Sequence, residues 1–292
     1  MHLINSLSLA PDVNDWLANS RHPRILHVFD HACNLINERR EVLSIVRQRI
    51  GHGPFNLVIE DNVLFPDHIN AQSPISIRAN ELNLGGLMIS TTNAKLWFPC
   101  PDWETFYTRR DDILDQLTKL PITNYQVYGL DIPFTENAQG YSTTTNFQSL
   151  ISNLSSALAS ANISSALSIT SQLAGLGAGL TPAGDDFILG AVLAAWVIHP
   201  PEIARGLAGE ITNTAVPLTT SLSAAWLRSA GKGEAGILWH DLFDALISAD
   251  AARIQIAVNK ILALGETSGA DALAGFVGTF MYWAELAGSK IP

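Results

Sequence analysis

Apolar and polar positions follow two different rhythms along this chain. In the first hundred residues, short runs with strand character recur at 25–29, 33–36, 42–46, 56–59, 75–78, 86–90 and 95–98. Turn signals separate them: GHGP at 51–54, FPD at 65–67 and NLGG at 83–86. The run VLSIVRQRI (42–50) fits either a strand or a helix. Short strands at this spacing predict a small barrel or a strongly bent sheet. Residues 102–120 then adopt helical periodicity and stop at Pro121. Beyond a loop-like stretch the helical rhythm continues, with elements predicted at 146–160, 162–173, 183–198, 201–214, 219–230, 234–248, 250–264 and 269–287. The expected fold class is therefore α+β. A β-rich, barrel-like unit over 1–120 leads through a linker at 121–145 to an all-helical unit over 146–292.

Composition supports this division. Residues 1–150 carry 27 of the 44 charged residues, and the second half is rich in Ala, Gly, Ser and Leu, which suits close helix packing. The formal net charge is −10, and the densest basic stretch (Arg39, Arg40, Arg47, Arg49) is interrupted by Glu38 and Glu41. Phosphate neutralisation needs clustered cations, so nucleic acid is not an expected partner. Mean hydropathy is +0.18, but no window approaches the roughly 20 apolar residues of a membrane span. The N-terminal stretch lacks the pattern of a secretory signal. The expectation is a cytoplasmic protein with no membrane partner, whose two cysteines, Cys33 and Cys100, are buried and reduced.

Candidate chemistry lies in GLGAGLTPAGDDF (175–187). Gly177 and Gly179 free the backbone for conformations closed to other residues. Thr181 stands where a helix N-cap belongs and Pro182 where the first helical residue belongs. Gly184, Asp185 and Asp186 follow. A glycine loop entering a helix exposes unpaired N–H groups suited to an anion. An ordinary helix can begin this way too, each acid contributing about 0.3–1 kcal/mol through the helix dipole.

A second copy of the pattern strengthens the functional reading. In TSGADALAG (267–275), Thr267 or Ser268 can cap, Gly269 matches Gly184, and Asp271 matches Asp186. The shared string is G-x-D-x-[IL]-x-G, with Asp and the last Gly on one helix face. Four of the eleven acids in the charge-poor half (Asp185, Asp186, Glu266, Asp271) fall in these two stretches. Carboxylates in an apolar helical unit are costly unless paired, hydrogen-bonded or bound to something. A small ligand with an anionic end and amide donors fits, as does a phosphate bridged by Mg²⁺. The run TTSLSAAWLRSAGKGE (219–234) adds Thr220 and Ser221 at a helix start as further ligand-binding candidates. It reads equally as a helix with hydroxyl caps and basic residues at its end. Other signals are weak: GLGAGL lacks the third glycine of a dinucleotide fingerprint, no phosphate-loop motif occurs, and the histidines show no metal-ligand spacing.

The strings GLGAGLTPAGDDFILG, TTSLSAAWLRSAGKGE and GETSGADALAG, in that order, resemble the AllH family, which includes a component of bacterial oxamate carbamoyltransferase. The resemblance implies a role in purine-nitrogen (allantoin and oxalurate) catabolism. The implied reaction is phosphorolysis of oxalurate to oxamate and carbamoyl phosphate, in a complex with other subunits. On this reading, main-chain N–H groups after Gly177 and Gly179 hold phosphate or carboxylate. Asp185, Asp186 and Asp271, the candidate catalytic residues, accept amide hydrogens or hold a metal. Gly184, Thr181, Thr267, Ser268 and Gly269 complete the pocket. One departure is Glu266, where the family pattern often has His. Two other readings stay open. One is a metal-dependent hydrolase resembling the ADP-ribosylglycohydrolases; the other is a scaffold subunit whose motifs form a helix junction.

Overall fold

The computed structural model describes residues 2–119 and 142–288, without the side chains of 142–146. Of the expected linker, 121–141 lies outside the described residues. The chain divides into two compact units, one running to Pro99 and including Ala235–Ile237, the other holding the rest.

The first unit is a nearly closed, barrel-like sheet. Its strands are β1 (His2–Leu9), β2 (Arg24–Val28), β3 (Ala32–Ile36), β4 (Val42–Arg47), β5 (Asn56–Ile59), β6 (Ile75–Arg78), β7 (Glu81–Leu84), β8 (Leu87–Ser90) and β9 (Lys95–Leu96). They run in the order β2-β3-β4-β5-β1-β8-β7-β6, with β9 also paired to β1. The first half of β1 pairs parallel to β8, and the second half pairs with β5 and β9. A register shift between Ser6 and Ser8 marks the changeover. Neither β1 nor β7 was among the predicted runs. In β1 the alternate positions are serines that are buried rather than solvated: Ser6 Oγ donates to Ser90 O at 2.9 Å, and Ser8 Oγ lies 2.9 Å from His52 Nδ1. Their polarity hides a core strand. The ambiguous run at 42 is a strand, buried at every position of β4. Helix α1 (Pro11–Asn19), also not predicted, starts on a proline and buries Val13, Trp16 and Leu17.

The second unit is helical: α2 (Trp103–Thr108), α3 (Arg110–Lys119), α4 (Ser142–Ala159), α5 (Ile163–Leu173), α6 (Ala183–Ile198), α7 (Pro201–Ala215), α8 (Ser221–Gly231), α9 (Ile237–Ser248), α10 (Ala251–Leu262) and α11 (Ser268–Leu286). The single helix expected over 102–120 is broken at Arg109, whose ψ of 18° leaves the helical region. Helix α6 is buried on nearly every side, as expected of an apolar core helix. Its Trp196 stacks on Trp103, which leads on through Phe243 and Phe276 to Phe280 in a chain of ring contacts, and the Trp196 indole N–H donates to Ala230 O at 2.9 Å. No helix among the described residues is long and apolar enough to cross a membrane.

Candidate functional site at the α6–α11 crossing

The two Gly/Asp strings meet. Helices α6 and α11 cross at the last glycine of each repeat. A Cβ on Gly190 would overlap the Ala272 carbonyl oxygen, and one on Gly275 the Phe187 carbonyl oxygen, so only glycine permits this approach. The starts of both helices are thereby drawn together. Thr181 Oγ1 and Ser268 Oγ lie 2.7 Å apart and share a hydrogen bond across the junction. Thr181 lies one residue outside the expected cap position, because Pro182 itself caps α6. Thr267 occupies the N-cap position of α11 without a side-chain capping bond.

The three aspartates divide into two environments. Asp185 is buried and committed within the protein, accepting the Gly175 N–H at 2.8 Å on one oxygen and the Thr219 hydroxyl on the other. Burial pushes its carboxyl above the usual range, opposed by Thr219, the Gly175 amide and Ser223. Asp186 and Asp271 instead each keep a buried Oδ2 with no hydrogen-bond partner among the described residues. Asp186 is pushed up to about 8, first by burial and then by the negative charges of Asp271 and Asp185, with Ser268 and Thr181 opposing. Asp271 is pushed up to about 6 by burial, against the Thr267 side chain. The pair therefore holds one proton at neutral pH.

Around this pair lies the glycine loop. Gly177 (φ 127°) and Gly179 (φ 92°) both take left-handed conformations, and a Cβ on Gly177 would sit 2.7 Å from the Ala183 nitrogen. The amides of residues 177–181 make no backbone hydrogen bond to any described residue, and the loop is exposed over 176–180. Gly184 and Gly269 are packing glycines, tucked under the carbonyls of Leu173 and Ile261. Thr220 caps α8, accepting the Ser223 N–H at 3.1 Å, while its hydroxyl donates to Leu180 O at 2.6 Å and so ties the loop down. Ser221 opens α8, half-buried, and Glu266 is exposed. Thus Asp186, Asp271, Thr181, Ser268 and Thr267 converge, and Asp185 faces Thr219 instead. The partner of Asp185 that the sequence does not single out is Thr219, although the hydroxyl-rich run 219–223 is its signal.

Asp186 and Asp271 are the residues available to a cation here, but no group of three or more His, Cys, Asp or Glu that could hold a metal occurs among the described residues. Cys33 is buried, with burial pushing its thiol up to about 12, whereas Cys100 is exposed, contrary to expectation; both are free.

A barrel-like sheet unit followed by a helical unit, with paired Gly/Asp helix starts facing one another, defines the class of protein. Residues 5–96 match the AllH family N-terminal domain, and residues 173–280 match the oxamate carbamoyltransferase subunit AllH. The chain belongs to the AllH family. No solved structure matches it.

Proposed function

We propose that this chain serves carbamoyl transfer between oxalurate and phosphate, yielding oxamate and carbamoyl phosphate. It does so in the cytosol with partner subunits, and the α6–α11 crossing binds the ureide. The observation that carries this reading is the buried, unpartnered Oδ2 on each of Asp186 and Asp271. A buried polar oxygen left unsatisfied costs about 1–3 kcal/mol, so a site that keeps two, one of them on a protonated carboxyl, is built for a group that brings both a donor and an acceptor from outside. Amide and ureido edges, an N–H beside a carbonyl, are such groups. The free amides of the 177–181 loop suit the anionic end of the same ligand, or the phosphate. Phosphate against the aspartates themselves is disfavoured by charge. Membership of a carbamoyltransferase subunit family supports the same assignment.

The test is reconstitution with the partner subunits and an assay of carbamoyl phosphate formed from oxalurate and phosphate. Asp271→Asn is expected to lower kcat/KM on the order of 100-fold with the complex still assembled, the scale of losing one preorganised polar contact to the reacting group. Activity within threefold of the unmodified complex would show that the site lies elsewhere.

A further inference from the structure

We propose that Asp186 and Asp271 act as an acid–carboxylate pair that grips the O=C–N–H edge of a carbamoyl or amide group, Asp186 donating to the carbonyl oxygen and Asp271 accepting the N–H. This rests on the site reading above and goes further, naming the part of the ligand that the pair recognises and the division of labour between its members.

Geometry supplies the main support. Asp271 is only 2% exposed, and its Oδ2 is buried without a partner, as is the Oδ2 of Asp186. Both residues stand in the first turn of their helices, which are held together by the glycine crossing and the Thr181–Ser268 bond. Among the described residues, the groups acting on Asp186 are Asp271, Asp185, Ser268 and Thr181, and on Asp271 it is Thr267; none of these is a cation. Asp185 cannot share the task, since the Gly175 amide and the Thr219 hydroxyl take both of its oxygens.

Two neighbouring carboxyls, one buried and one half-buried, with no cation acting on them from the described residues, do not both ionise readily at neutral pH, so one carries a proton. Asp186 keeps it, because the charges of both Asp271 and its neighbour Asp185 oppose its ionisation. The result is one O–H donor beside one carboxylate acceptor. A primary amide or ureide edge presents the complement, a carbonyl acceptor beside an N–H donor. A carboxylate ligand presents acceptors only and meets the Asp271 charge. The pair therefore selects the carbamoyl side of a ligand against its carboxylate side, which leaves the anionic end to the loop amides. No covalent step is involved.

The experiment is calorimetric titration of the full chain with oxamate, oxalate and inorganic phosphate. Oxalate keeps the anionic end of oxamate and replaces its amide by a second carboxylate. Oxamate is expected to bind at least about tenfold more tightly than oxalate at pH 7, the scale of one hydrogen bond to a charged group. Its affinity should hold between about pH 6 and about 8 and fall on either side as Asp271 gains, or Asp186 loses, its proton. In Asp186→Asn, whose amide donates at any pH, the alkaline fall should disappear. If that variant misfolds, the oxamate–oxalate ratio and the pH profile of the unmodified chain decide alone. Equal binding of oxamate and oxalate, or a flat profile across pH 6–9, overturns the acid–carboxylate pair while leaving the site reading intact. Absence of binding by all three probes overturns both.

Discussion

Replacing Asp186 by Asn should make the protein more stable at alkaline pH and change little in acid. The carboxyl titrates at about 8 in the folded chain, against an ordinary value of 3.8. In the unfolded chain it loses its proton near 3.8, so between those values the folded state holds the proton more firmly. Stability from this group is fully present below pH 3.8 and is lost progressively as pH rises towards 8. At about 1.4 kcal/mol per pH unit, the ionised folded form is disfavoured by about 6 kcal/mol as a ceiling. Water reaching the partly exposed residue reduces this to a few kcal/mol. Asn has the same shape and carries no charge, so it escapes the penalty. Urea unfolding of both proteins from pH 4 to pH 9 measures the difference. The curves should coincide near pH 4 and separate by at least about 2 kcal/mol at pH 9, with the variant the more stable. Parallel curves would show that Asp186 ionises freely and would refute the burial and charge crowding inferred for it.

Thr219→Val removes the hydroxyl donor to a buried Asp185 oxygen and should cost about 1–3 kcal/mol in urea unfolding, whereas Thr219→Ser should restore most of it. Gly190→Ala or Gly275→Ala inserts a methyl into a backbone contact between α6 and α11. Each should destabilise by about 1–3 kcal/mol or more and weaken oxamate binding, read by thermal melting and calorimetry. One thiol, Cys100, should react with an aromatic disulfide reagent in the native protein and two after unfolding, since Cys33 is buried and its thiol is held protonated.

The helical half was legible almost residue by residue. The 3.6-residue rhythm located α6 at its observed bounds and the other helices after residue 141 to within a few residues, because their caps and glycine stops are local signals, whereas the break at Arg109 between α2 and α3 carries no such signal. In the barrel-like unit, strands that read as short β-branched runs were visible. Strand β1 was not, because Ser6 and Ser8 face inward and are satisfied by Ser90 and His52, partners distant in sequence. The meeting of Asp186 and Asp271 was legible as a repeated string, since the glycine four residues after each Asp is what the helix crossing requires. The separate task of Asp185 was not: Asp185 and Asp186 are adjacent, and only the fold shows that one faces Thr219 while the other faces α11.

Carbon-13 NMR of the aspartate carboxyls during oxamate titration at pH 7 is the most direct measurement. With oxamate at the α6–α11 crossing, the Asp186 and Asp271 resonances should shift together with the amides of residues 177–181, and Asp185 should move little. Saturating oxamate that leaves both resonances unmoved, or shifts confined to residues of the barrel-like unit, would contradict a ligand site at the paired helix starts.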